Sequence, residues 1–101
     1  MHRPRIDVPR DMIAEFCKKH HIRKLALFGS VLREDFASTS DVDVLVEFEP
    51  GRPVGLIRLA GIERELSELL GHPVDVNTPG SISPYFREEV LREAAVQYVA
   101  P

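Results

Sequence analysis

Residues 29–48 read Gly-Ser-Val-Leu-Arg-Glu-Asp-Phe-Ala-Ser-Thr-Ser-Asp-Val-Asp-Val-Leu-Val-Glu-Phe, and they decide how the rest of the chain is read. The second half, 41–48, has the alternation of a strand. Side chains in a strand point to opposite faces, so Asp41, Asp43, Leu45 and Glu47 share one face while Val42, Val44, Val46 and Phe48 share the other, which is the core face. Asp41 and Asp43 then stand on one side with Cα atoms roughly 6.5 Å apart. Two hard oxygen donors at that spacing suit magnesium, which takes one or two carboxylates and fills its other positions with water and phosphate oxygens. An Asp-x-Asp alone is equally compatible with a strand end that carries its acids into solvent.

The upstream half adds a second feature. Arg23–Phe28 reads as a short strand that stops at Gly29, a residue free to adopt backbone angles that others avoid. A glycine also lets a phosphate approach the backbone closely. Ser30 offers a hydroxyl and an N–H at the start of a short helix expected over 31–36, whose N-terminal dipole favours an anion. Ser30 reads equally as a plain helix N-cap.

The remaining periodicities alternate helix and strand. Pro9 at a first-turn position, followed by Met12, Ile13, Phe16 and Cys17 at helical spacing, predicts a first helix ending near His20. Pro50, Gly51 and Pro53 mark a loop. Leu56, Leu59, Ile62, Leu66, Leu69 and Leu70 then predict an amphipathic helix closed by Gly71. Residues 73–77 predict a strand carrying Asp75. Ser83-Pro84 opens a last helix in which Phe86, Val90, Leu91, Ala94 and Ala95 are expected to pack inward. The fold class expected is α/β (α+β), a small mixed sheet flanked by helices in a single domain over 1–101.

The motif Gly29-Ser30, a ten-residue spacer and Asp41-Val42-Asp43 resembles the minimal nucleotidyltransferases of the polymerase-beta superfamily. The resemblance runs from about Leu25 to Tyr98. It includes a third carboxylate on a later strand, Asp75 in His72-Pro-Val-Asp-Val-Asn77, and the tail Thr78-Pro-Gly-Ser-Ile-Ser-Pro-Tyr-Phe-Arg-Glu-Glu-Val-Leu-Arg-Glu-Ala94, which is similar to small prokaryotic members encoded beside HEPN-domain proteins. Some members carry glycine where this chain has Glu34, so a different turn after Arg33 is expected. The resemblance implies a nucleotidyltransferase fold and a site in which Asp41, Asp43 and Asp75 act in catalysis and hold two magnesium ions. Gly29 and Ser30 would position a nucleoside triphosphate, with Arg33 either reaching a phosphate or solvated. It further implies transfer of AMP from ATP to a hydroxyl, a tyrosine, of a HEPN-type toxin, the chain acting as antitoxin in a hetero-oligomer. Two alternatives stand beside this: an antitoxin that neutralises its partner by binding alone, and nucleotidyl transfer to a small molecule or RNA.

Composition narrows the field. With 101 residues, 44% of them hydrophobic, a domain of this size buries about two-thirds of its unfolded surface. A net charge of −3, from 13 basic and 16 acidic residues, argues against direct nucleic-acid binding, which calls for a basic excess. The basic run Lys18–Lys24 reads as the favourable C-terminal end of the first helix, and Arg3, Arg5 and Arg10 as solvated. His20 and His21 lack the further ligands a zinc site needs. Cys17, the single cysteine, reads as a buried, inert thiol. Glu63, Glu65 and the other helix charges read as surface decoration, Glu47 and Glu49 as reaching solvent, and Tyr85 and Tyr98 as packing residues. No apolar run approaches membrane-spanning length and no signal-peptide pattern opens the chain, so the expected location is cytoplasmic.

Overall fold

A computed structural model describes residues 6–32, 41–51 and 54–101. Helix α1 (Arg10–Lys19) leads into strand β1 (Ile22–Phe28), a 3-10 turn (Gly29–Leu32) and strand β2 (Val42–Phe48). Helix α2 (Leu56–Leu70) follows, then β3 (Val74–Asn77), a second 3-10 turn (Pro79–Ser81), α3 (Pro84–Glu93) and β4 (Ala95–Val99). The strands form one mixed sheet in the order β3-β2-β1-β4, with β2 and β3 parallel and the other two pairings antiparallel. The parallel pair is joined through α2, the crossover such pairs require.

The core explains why these residues choose these elements. Ile13, Phe16 and Cys17 of α1 and Ile62, Leu66 and Leu70 of α2 pack on one sheet face, against Leu25, Leu27, Val42, Val44, Val46, Val74 and Val76. The period of 3.6 in the helices and of two in the strands therefore meet on one layer. Gly71 closes α2 at φ 70°, in the left-handed region, with its N–H bonded to Ser67 O. This is the stop expected of it.

The last helix departs from expectation. It ends at Glu93, and Ala94 turns to ψ 135°. Ala95–Val99, a run containing two valines and a tyrosine, pairs with β1 instead. Three of these five residues are β-branched or aromatic, and β1 offers an unpaired edge, so sheet pairing overrides helix periodicity. Ala95 and Tyr98 reach the core from β4, as partly buried residues. Phe86 and Leu91 remain exposed, α3 has no buried residue, and Tyr85 is 93% exposed rather than packed. Leu56, at the first position of α2, is likewise exposed. Pro9 is the N-cap of α1 and not within its first turn.

The charges of the basic run are used between elements. Lys19 Nζ and His20 Nε2 meet the Glu65 carboxylate at 2.7 and 2.6 Å, tying α1 to α2. The hydrogen bond from Lys19, then that from His20, holds the Glu65 carboxyl below its usual range. Glu49 meets His21 at 3.0 Å, and Glu47 meets Arg23 at 2.7 Å and Lys24 at 3.9 Å, so both acids are paired rather than merely solvated. Among the described residues, no helix is long and apolar enough to cross a membrane.

Cys17 is fully buried, and desolvation pushes its thiol up to about 12. At pH 8 almost none of it is thiolate, the form that reacts. A thiol-specific disulfide reagent is therefore expected to label Cys17 at least about 100-fold more slowly in native buffer than in denaturant; equal rates would contradict the burial.

Candidate active site

The site grows from the register of two strands. Asp43 on β2 and Asp75 on β3 are direct partners, flanked by Val42↔Val74 and Val44↔Val76. The valines occupy the core face, so both aspartates stand side by side on the opposite face, Asp43 partly buried and Asp75 exposed. Asp75 thus lies on the strand expected to carry it, beside Asp43. Asp41 lies exposed immediately before β2, two residues from Asp43.

What holds Asp75 in place was not legible as a motif. β3 is an edge strand, and its outward N–H groups are taken up by α2: Val74 N–H donates to Ser67 Oγ at 3.0 Å and Val76 N–H to Glu63 Oε2 at 2.9 Å. Ser67 Oγ itself donates to Glu63 O at 2.8 Å. Glu63 is therefore not surface decoration. It and Ser67 fix the two residues on either side of Asp75 and cap an edge that would otherwise be free to pair. The signal available in sequence was their i, i+4 spacing on the α2 face nearest β3.

Gly29 meets the site from the other side. On β1, Phe28 is the partner of Asp43, and the chain turns immediately after it. Gly29 has φ +76°, and a Cβ there would lie 2.5 Å from Asp43 Oδ2. Two requirements coincide: a left-handed backbone that side chains disfavour, and space already filled by the carboxylate. Ser30 sits inside the 3-10 turn, and its hydroxyl makes a long, 3.5 Å contact to Asp41 O. The turn thus touches both aspartates of the Asp-x-Asp pair. Arg33, Glu34 and the rest of the helix expected over 31–36 beyond Leu32 lie outside the described residues, as do Arg3, Arg5 and Pro53.

The donor set fits a hard divalent cation. Among the described residues no three acid, imidazole or thiol side chains converge as a ready-made metal cage. Magnesium rarely has one, because it keeps several waters and binds through one or two carboxylates together with substrate phosphates. The exposed Asp41 and Asp75 on either side of the half-buried Asp43, beside a glycine that leaves backbone accessible, meet that requirement. Cys17 is remote in chemistry, buried within the opposite layer.

A mixed sheet backed by helices, with a Gly-Ser turn set against paired strand aspartates, defines the nucleotidyltransferase class. The chain belongs to the nucleotidyltransferase domain family, whose model matches residues 10–96, and within it to the minimal nucleotidyltransferases. It is 42% identical over 76 residues to the Methanocaldococcus jannaschii protein MJ0435, provisionally named a protein adenylyltransferase, the match covering 75% of this chain and 80% of that one. A solved structure provisionally described as a minimal nucleotidyltransferase superposes with a TM-score of 0.68 at 39% identity, covering 84% of this chain and 85% of the other. Two toxin–antitoxin complexes share the fold at 18% identity. One, with AMP-PNP, has a TM-score of 0.72 and covers 92% of this chain and 75% of the other. The second, a tri-AMPylated HEPN toxin with MNT antitoxin from Shewanella oneidensis, has a TM-score of 0.59 and covers 90% and 70%.

Replacing Gly29 with alanine forces the Asp43 carboxylate aside and imposes a left-handed backbone on a side chain. The expected stability loss is about 1–2 kcal/mol, measured by urea denaturation. A urea denaturation curve unchanged from that of the parent protein would show that the Asp43 side of the turn is not as tight as described.

Proposed function

We propose that this chain is a magnesium-dependent nucleotidyltransferase that moves AMP from ATP to a tyrosine hydroxyl of a HEPN-type toxin, acting as its antitoxin. The observation that carries this reading is the Asp43–Asp75 pairing with Gly29 backed directly onto the Asp43 carboxylate. The relative named as a protein adenylyltransferase, and the solved complexes of AMPylated toxin and of AMP-PNP, support it from outside.

Asp41, Asp43 and Asp75 would hold magnesium, two ions in this reading. Bound there, the metal supplies positive charge against the phosphate oxygens and the departing pyrophosphate. Gly29 lets the triphosphate come close to the backbone, and the Ser30 hydroxyl and N–H orient it; Arg33 is proposed to reach a phosphate oxygen. Asp75, the more exposed of the paired acids, receives the proton of the acceptor hydroxyl. That oxygen then forms a bond to the α-phosphorus as the bond from the α-phosphorus to the bridging oxygen breaks. AMP stays on the acceptor and pyrophosphate leaves. Positioning of two reactants and charge stabilisation are what such a transfer demands.

The test is incubation of the protein with magnesium, ATP and a purified HEPN-type toxin, followed by intact-mass analysis of both chains. A gain of whole AMP units on the toxin is expected, with the rate falling about 100-fold or more in Asp41→Ala and Asp43→Ala. No gain, with the toxin silenced equally well by the aspartate variants, would make the chain a binding antitoxin on an idle site.

A further inference from the structure

Helix α3 carries no buried residue, and Phe86 on it is 60% exposed. It is tied down at its start, where the Ser83 hydroxyl accepts the Tyr85 N–H and Arg87 donates to Ile82 O at 3.0 Å, and at its end by the turn into β4. A helix of this length gains little from hydrogen bonding alone and ordinarily depends on a packed face. Phe86, Glu89, Val90 and Glu93 lie at i, i+3, i+4 and i+7, one stripe of the helix. That stripe is one wall of an open cleft of about 380 Å³ whose other wall is Phe28 and Gly29. The cleft therefore opens beside the glycine that abuts Asp43 Oδ2.

We propose that this cleft docks the acceptor segment of the partner protein, and that it selects a segment with an aromatic or aliphatic anchor flanked by Lys or Arg. The inference rests on the transfer reading above and names the substrate feature that reading leaves open. Two phenylalanines and a valine form an apolar slot, and two glutamates lie on the helix wall. None of the six described lining residues is basic, so the helix wall of the cleft attracts a cationic chain. Charge complementarity of this kind sets partner choice and encounter rate. The volume suits one or two side chains rather than a whole helix, and an anchor seated against Phe28 brings the neighbouring hydroxyl to the aspartate pair.

The probes are a fluorescent tyrosine peptide flanked by arginines and the same peptide flanked by glutamates, read by anisotropy at low ionic strength, where exposed charges act over the longest range. The protein is expected to bind the arginine peptide at least about tenfold more tightly. Glu89→Lys with Glu93→Lys reverses the preference, and Glu89→Gln with Glu93→Gln removes it without adding charge. Equal binding of the two peptides, or a preference that survives both double variants, overturns the proposal. So does a loss of magnesium·AMP-PNP affinity in Phe86→Ala with peptide preference intact, which gives the cleft to the base, or self-association abolished by the lysine variants, which gives it to a second copy. Mass analysis of the same peptides separates the two readings. An arginine peptide that binds but takes no AMP removes the transfer and leaves the docking; AMP transfer indifferent to flanking charge removes the docking alone.

Discussion

The parallel register of β2 against β3 is the constraint on which the site depends. Val42, Val44 and Val46 on one strand and Val74 and Val76 on the other are buried in the same layer, so the register cannot slip by one residue without driving Asp43 or Asp75 into the core. Burying an ionised carboxylate there without a partner would cost several kcal/mol, and the valines would lose their own burial. Hydrophobic patterning thereby fixes the position of two polar groups that contribute nothing to the core. The aspartates face outward together because the valines face inward together.

Two further elements reinforce that register from its flanks. Helix α2 supplies Ser67 and Glu63 to the outward N–H groups of β3, holding the residues before and after Asp75. Strand β1 ends against Asp43 and turns at a glycine whose missing side chain leaves room for the carboxylate. The order of the sheet, β3-β2-β1-β4, places Asp43 between these supports. A single small sheet thus positions an acid pair, a turn with accessible backbone and the adjoining cleft. In the proposed transfer these are the parts that bind and orient the two reactants.

Much of this was legible in the chain because the decisive signals were local. The alternation of 41–48, the break at Gly29, and Asp75 between two valines each depend on neighbours in sequence, and the strands and α2 fall close to where those patterns put them. The end of the chain was not. Phe86, Val90, Leu91, Ala94 and Ala95 satisfy a helical spacing, yet Ala95 joins a strand because β1 has an open edge, a fact of tertiary pairing invisible to periodicity. The roles of Glu63 and Glu65 escape the sequence pattern for a related reason. Their partners lie 13 and some 45 residues away, and charged residues on a helix look alike until the neighbouring element is in place. Phe86 and Val90 have spacing that suits a core face, yet they stand beside the Gly29 turn instead, on a helix without a buried residue.

The central claim, that Asp43 and Asp75 with the Gly29 turn form a competent magnesium–nucleotide site, is tested most directly by thermal melting with and without magnesium and ATP together. A ligand that binds only the folded state raises the melting temperature by mass action. The account predicts a rise in the parent protein that requires both components and disappears in Asp43→Ala. No rise in the parent protein, or an equal rise in Asp43→Ala, would contradict it.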